Sequence, residues 1–113
     1  VGTLADVWID AYRKKDHASR GMAENATGRI GPAAIPLLKG LQKEAEAAEE
    51  PSATDERPAW MIQLFVAESL VRINTPETQE MLAAYLRREK AEEKPNGRYV
   101  RVLEKALRQA KRK

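Results

Sequence analysis

The sequence predicts an all-α fold of about six helices in antiparallel hairpins, and three observations predict it. Apolar residues recur at spacings of three and four, which put them on one side of a helix. Twice the chain carries a helix stop followed at once by a helix start, at Gly31-Pro32 and at Asn74-Thr75-Pro76. The composition is 42% apolar with one Phe, two Trp and three Tyr, so Leu, Ile, Val, Met and Ala must form the core, and Ala favours closely packed helices. An irregular helical bundle is the competing architecture.

The first helix is expected from Thr3 to about Lys15, with Leu4, Val7, Trp8, Ala11 and Tyr12 on one face. Asp16 and His17 interrupt it. A weaker second helix, Ser19 to Ile30, groups Met22, Ala23, Ala26 and Ile30. Its Gly21 and Gly28 cost helix stability unless packing uses them, Gly allowing a neighbouring helix to approach. Gly31 suits a position after a C-cap and Pro32 a first helical turn, so a third helix follows from Pro32 to about Ala48. It carries Ile35, Leu38, Leu41 and Ala45, with Leu37 broadening that face. Pro36 falls in its first turn, where no intrahelical bond is lost.

Pro51-Ser52-Ala53-Thr54 reads as a linker, with the fourth helix beginning near Asp55 and ending near Ile73. Trp60, Met61, Leu64, Phe65, Ala67, Leu70 and Val71 occupy more than half its circumference, which marks the central, most buried element. Thr75 is the expected N-cap of a fifth helix and Pro76 its first residue. That helix carries Met81, Leu82, Tyr85 and Leu86, then fades into the charged stretch Arg87 to Lys94. Pro95-Asn96-Gly97 turns the chain into a sixth helix from about Arg98, which buries Tyr99, Val100, Leu103, Ala106, Leu107 and Ala110.

A length of 113 residues fits one domain. The 33% of charged residues indicates a surface-rich, elongated molecule. No apolar run approaches the roughly 20 residues of a spanning helix. With no cysteine, disulfides, thiolate metal sites and cysteine nucleophiles are excluded. The chain begins at Val1 without an initiator Met, so it is expected to be a piece of a longer protein.

The net charge of +3 conceals an asymmetry. Arg98 to Lys113 holds seven bases against Glu104 alone, whereas Glu44 to Glu56 holds six acids and no base. One acidic segment and one basic terminus result.

The two stop-and-start hairpins also repeat one another. Arg29-Ile30-Gly31 aligns with Arg72-Ile73-Asn74 at an offset of 43, and Leu37-Leu38 with Met81-Leu82 at 44. The segment Gly28-Arg-Ile-Gly-Pro-Ala-Ala-Ile-Pro-Leu-Leu-Lys-Gly-Leu41 resembles the inter-helix turn and second helix of HEAT repeats, the armadillo-type family that includes the short repeats of phycobilisome lyases. The resemblance covers Ser19 to Leu86 as two repeats flanked by half-units. It implies a short α-solenoid that acts as a scaffold for a protein or peptide partner. The second copy departs from the pattern at Asn74-Thr75-Pro76-Glu77, and the linker from Glu44 to Glu56 is longer than the consensus.

Catalytic chemistry has little to work with. The single His17 stands beside Asp16 in an expected turn, where a loop or capping role is the simpler reading, and neither a paired nucleophile nor a metal-ligand set accompanies it. No cofactor-binding motif is present. The acidic segment lacks the alternating acids and central Gly of a calcium loop and reads as a solvated loop. Trp8, Tyr12, Trp60 and Tyr85 lie on apolar faces, as core residues or as interface anchors.

The candidate binding residues are Arg101, Lys105, Arg108 and Arg112, a stripe opposite Leu103 and Leu107 that suits an anionic partner. The same stripe also serves as a soluble cap, and no aromatics are interleaved for base stacking. The sequence therefore predicts a non-enzymatic protein-interaction module. The alternatives are a nucleic-acid-binding module using the basic last helix, and an accessory domain of a larger enzyme.

Overall fold

The computed structural model describes residues 2–47 and 59–111, and nearly all of these are helical, with no strand among them. The elements are α1 (Gly2–Arg13), α2 (His17–Ile30), a 3-10 turn (Gly31–Ala34), α3 (Ile35–Ala47), α4 (Ala59–Ile73), α5 (Pro76–Ala91) and α6 (Gly97–Lys111). The expected six separate helices are corrected in one place. From His17 to Ala47 no coil segment separates α2, the 3-10 turn and α3, so the described chain forms five contiguous helical stretches. Gly31, at φ 74°, bends this stretch without breaking it, a conformation that Gly adopts without the steric strain of a side chain. The linker around Pro51 and the start expected near Asp55 lie outside the described residues.

The other junctions are true breaks. Lys15, at φ 58°, ends the first hairpin arm, and Asp16 caps α2 by accepting from the Ser19 amide (3.1 Å) and hydroxyl (2.6 Å). These bonds hold the Asp16 carboxyl below its ordinary range, because they favour the ionised form. Thus Asp16, and not His17, supplies the cap. At the second corner Asn74 takes φ 50°, and Thr75 closes a capping box with Thr78: each hydroxyl accepts from the other's amide, at 3.2 and 2.9 Å. Asn96 accepts from the amides of Arg98 and Tyr99 at the start of α6.

Helix α4 is the centre of the packing and touches α1, α2, α3, α5 and α6. Phe65, Val66 and Leu70 are fully buried, and they join Trp8, Leu38, Leu82 and Leu103 in one core. Burial on this scale follows from a helix apolar over most of its circumference, which gains by removing those sides from water. Gly28 near the end of α2 meets Arg72 near the end of α4, and Trp60 at the start of α4 meets Arg98 at the start of α6. Helices α2, α4 and α6 therefore lie side by side in the same sense. Across the other face, α3 and α5 are joined by the ion pairs Lys39–Glu77 (3.3 Å) and Glu46–Arg88.

Four expected core positions are instead exposed: Val7, Met22, Ile30 and Leu37, with Met22 at 71%. The buried side of α2 is Ala23, Glu24 and Thr27, turned from the expected one because Glu24 is held inward by Trp8 and Arg72. Thr27 returns its hydroxyl to the Ala23 carbonyl (3.0 Å), which removes its unsatisfied donor. The shape is also more compact than the charge content suggested. The radius of gyration is 13.2 Å, about that of a globular domain of this length.

Candidate anion-binding groove

A groove of about 410 Å³ crosses α1, α2, α4 and α6. Its polar side chains fall at helical spacings: Arg20 and Glu24 four apart on α2, Glu68 and Arg72 four apart on α4, Arg98 and Lys105 seven apart on α6. Such spacing aligns each set along one helix edge. Trp8 and Tyr12 of α1 close one wall, and Leu64 and Val102 supply apolar floor.

Glu24 is buried at 7% exposure, which requires partners for its charge. It has two, one on each oxygen. The Trp8 indole N–H donates to Oε2 at 2.7 Å, and the Arg72 guanidinium donates to Oε1 at 3.3 Å. Three helices are thereby tied at one carboxylate. Glu68, beside it, is raised above the usual carboxylate range, chiefly by burial and then by the Glu24 charge, while Arg72, Lys105 and Arg20 oppose the shift.

The other two guanidiniums are held by rings. Arg20 lies over Tyr12 at 5.0 Å and Trp8 at 5.7 Å, and it donates to His17 Nδ1 at 2.5 Å. Its buried Nε has no hydrogen-bond partner. Arg98 lies over Trp60 at 5.7 Å and donates to the Tyr12 hydroxyl at 2.5 Å. Trp8 stacks on Tyr12, which meets Trp60 edge-on, so the rings form a continuous support. Neither Arg20 nor Arg98 is paired with a carboxylate among the described residues. Four cations against two carboxylates leave the groove basic.

The basic stripe expected on the last helix is partly joined to this groove. Arg101, Lys105 and Arg108 are exposed on α6, and Lys105 lines the groove, whereas Arg112 lies outside the described residues. Of the four aromatic residues, Trp8 is core at 1% exposure, while Tyr12, Trp60 and Tyr85 are half-buried at cavity walls. Arg20, Glu24, Glu68, Arg72 and Arg98 were not singled out by the sequence. The four-residue spacings of Arg20 to Glu24 and of Glu68 to Arg72 were legible, but such charges at helical spacing ordinarily mark solvated faces.

A second cavity, of about 430 Å³, lies between α3, α4, α5 and the start of α6. Gln42 donates there to Tyr99 (3.2 Å) and Glu46 (3.0 Å), and burial raises the phenols of Tyr99 and Tyr85. Its rim passes Glu46 and Ala59, which border residues 48–58.

No described helix is long and apolar enough to cross a membrane. Comparison with family models, curated proteins and solved structures finds no match to the chain.

Proposed function

We propose that the chain is a non-enzymatic interaction module that holds an acidic segment of a partner protein on a HEAT-like helical surface. The observation that carries this reading is the groove, where two guanidiniums are fixed over aromatic rings with no carboxylate partner among the described residues. Cations held by ring and hydroxyl contacts bind anions at less entropic cost than free surface lysines do. The HEAT-like reading is supported by the side-by-side row α2, α4 and α6, with α1, α3 and α5 packed against it. It is also supported by the repeated corner sequences.

The test is fluorescence anisotropy of a labelled acidic peptide titrated with the protein at low and moderate salt. Saturable binding that weakens with salt is expected. No binding at low salt overturns the proposal.

The exposed bases of α6 favour a second reading, a nucleic-acid-binding module. Charge reversal at Arg101, Lys105, Arg108 and Arg112 would then abolish binding of single- or double-stranded oligonucleotides. If oligonucleotides bind and the acidic peptide does not, this second reading replaces the first.

A further inference from the structure

We propose that Arg20 and Arg98 form a two-armed clamp for one carboxylate side chain, a Glu or Asp of an acidic peptide, with Tyr12 as the post between the arms. The inference rests on the interaction-module reading and assigns its recognition point. Both arms touch the same residue: Arg20 covers the Tyr12 ring at 5.0 Å, and Arg98 donates to the Tyr12 hydroxyl at 2.5 Å. Tyr12 thus fixes two planar donors beside one opening, and guanidinium forks match a carboxylate better than ammonium groups do.

Arg72 borders the same groove, and its charge is answered by Glu24 at 3.3 Å. Arg20 and Arg98 have no such carboxylate among the described residues and are held instead by the Tyr12 ring and hydroxyl.

Peptide is favoured over nucleic acid on two grounds. Base binding to a single strand uses open aromatic faces, whereas the rings of Tyr12 and Trp60 already carry a guanidinium. The resident carboxylates Glu24 and Glu68 also repel a continuous line of phosphates, while one carboxylate can enter beside them. A cavity of about 410 Å³ accommodates a side chain and its neighbours.

The two tryptophans of the chain, Trp8 and Trp60, each lie beneath a clamp arginine, so their emission reports directly on the site. The experiment titrates the protein with hexaglutamate and with an oligonucleotide of equal charge, following tryptophan fluorescence and the anisotropy of labelled probes. The variants Arg20→Lys and Arg98→Lys keep the net charge and remove the fork, and each is expected to weaken hexaglutamate binding about tenfold. Tyr12→Phe, which retains the ring and deletes the hydroxyl that holds Arg98, is expected to weaken it about threefold. Arg101→Lys and Arg108→Lys, on the same helix but outside the groove, are expected to change it less than about twofold.

Hexaglutamate binding that all five variants leave unchanged overturns the clamp and leaves the module reading standing. So does equal weakening by the groove and outer-stripe variants. No binding at low salt removes both. An oligonucleotide that binds more tightly than hexaglutamate, without a response from either tryptophan, overturns the clamp in favour of the outer stripe. Circular dichroism on each variant shows whether helicity is kept. If an Arg20 variant loses its helix, Arg98→Lys and Tyr12→Phe decide the matter.

Discussion

Along α4, two stripes of residues spaced by three or four carry opposite chemistry. Ile62, Val66, Leu70 and Ile73 form one, all buried and all aliphatic. Leu64, Glu68 and Arg72 form the other, along the groove. The first gains stability from removing apolar area from water and needs no particular partner geometry. The second retains charges beside the core, and its Arg72 reaches across to the buried Glu24 of α2, which Trp8 also holds. One stripe is built for stability and tolerates no water. Along the groove, cations are kept at a basic surface at some cost in stability.

The comparison is broken most sharply at Leu70. Leu70→Ala opens a cavity in the dry stripe and is expected to destabilise the fold by about 3–4 kcal/mol, read by urea denaturation. Facing the groove stripe from α2, Glu24→Ala strands the Trp8 indole N–H in a buried position and frees Arg72. A loss of about 2–3 kcal/mol is expected, and Glu24→Gln should recover part of it by keeping an acceptor for Trp8. If Glu24→Ala proves neutral, the three-helix tie contributes nothing and the groove is only a surface crease.

Gly28→Ala probes the contact between the two stripes and α2. A Cβ there would lie 2.8 Å from the Arg72 Cβ, an atom fixed to the backbone, so α2 and α4 must part. The overpacking outweighs the gain in helix propensity, and a net loss of about 1 kcal/mol is expected in the same assay. Gly21→Ala, with open space around it, should instead stabilise by up to about 1 kcal/mol.

The smallest effect is expected at Glu68, and its sign is opposite. Its carboxyl is raised in the folded chain by burial and by Glu24, so the folded state holds the proton more tightly than the unfolded state does. The stability this contributes is present at acid pH and is lost as pH rises from the ordinary carboxylate range through the raised value. Glu68→Gln removes that loss, so the variant should melt slightly higher at neutral pH, by about 2 °C, and show no advantage at low pH. Thermal melts at the two pH values check it.

Much of the helix layout was legible because its signals are local. Thr75 and Pro76 start α5 as expected, since an N-cap oxygen and a fixed φ act within one turn. The Ile35, Leu38, Leu41 and Ala45 face of α3 and the dominance of α4 followed from apolar spacing alone. Gly31-Pro32 read as a stop and became a bend, because helical geometry resumes directly after Gly31 and the 3-10 turn needs few bonds. The face of α2 was misread for a different reason. Its buried side contains Glu24, and a charge counts as exposed until its partners, 16 and 48 residues away, are known.

The candidate site was the least legible part. Lys105 was marked within the α6 stripe, and Trp8, Tyr12 and Trp60 were marked as aromatic residues on apolar faces. What makes them a site is the meeting of Arg20 and Arg98 at Tyr12. Residues on three helices separated by up to 86 positions leave no periodic trace of such a meeting.

By itself, the sequence determined the helical class, most helix boundaries and the apolar faces of α3, α4 and α6, because caps, proline geometry and the 3.6-residue period act within a few residues. Only the tertiary structure decided which charges are paired, which guanidiniums are held over rings, and how closely α2 approaches α4 at Gly28. Those outcomes depend on distances between helices, and electrostatic and packing energies change over a few ångströms that no spacing along the chain encodes.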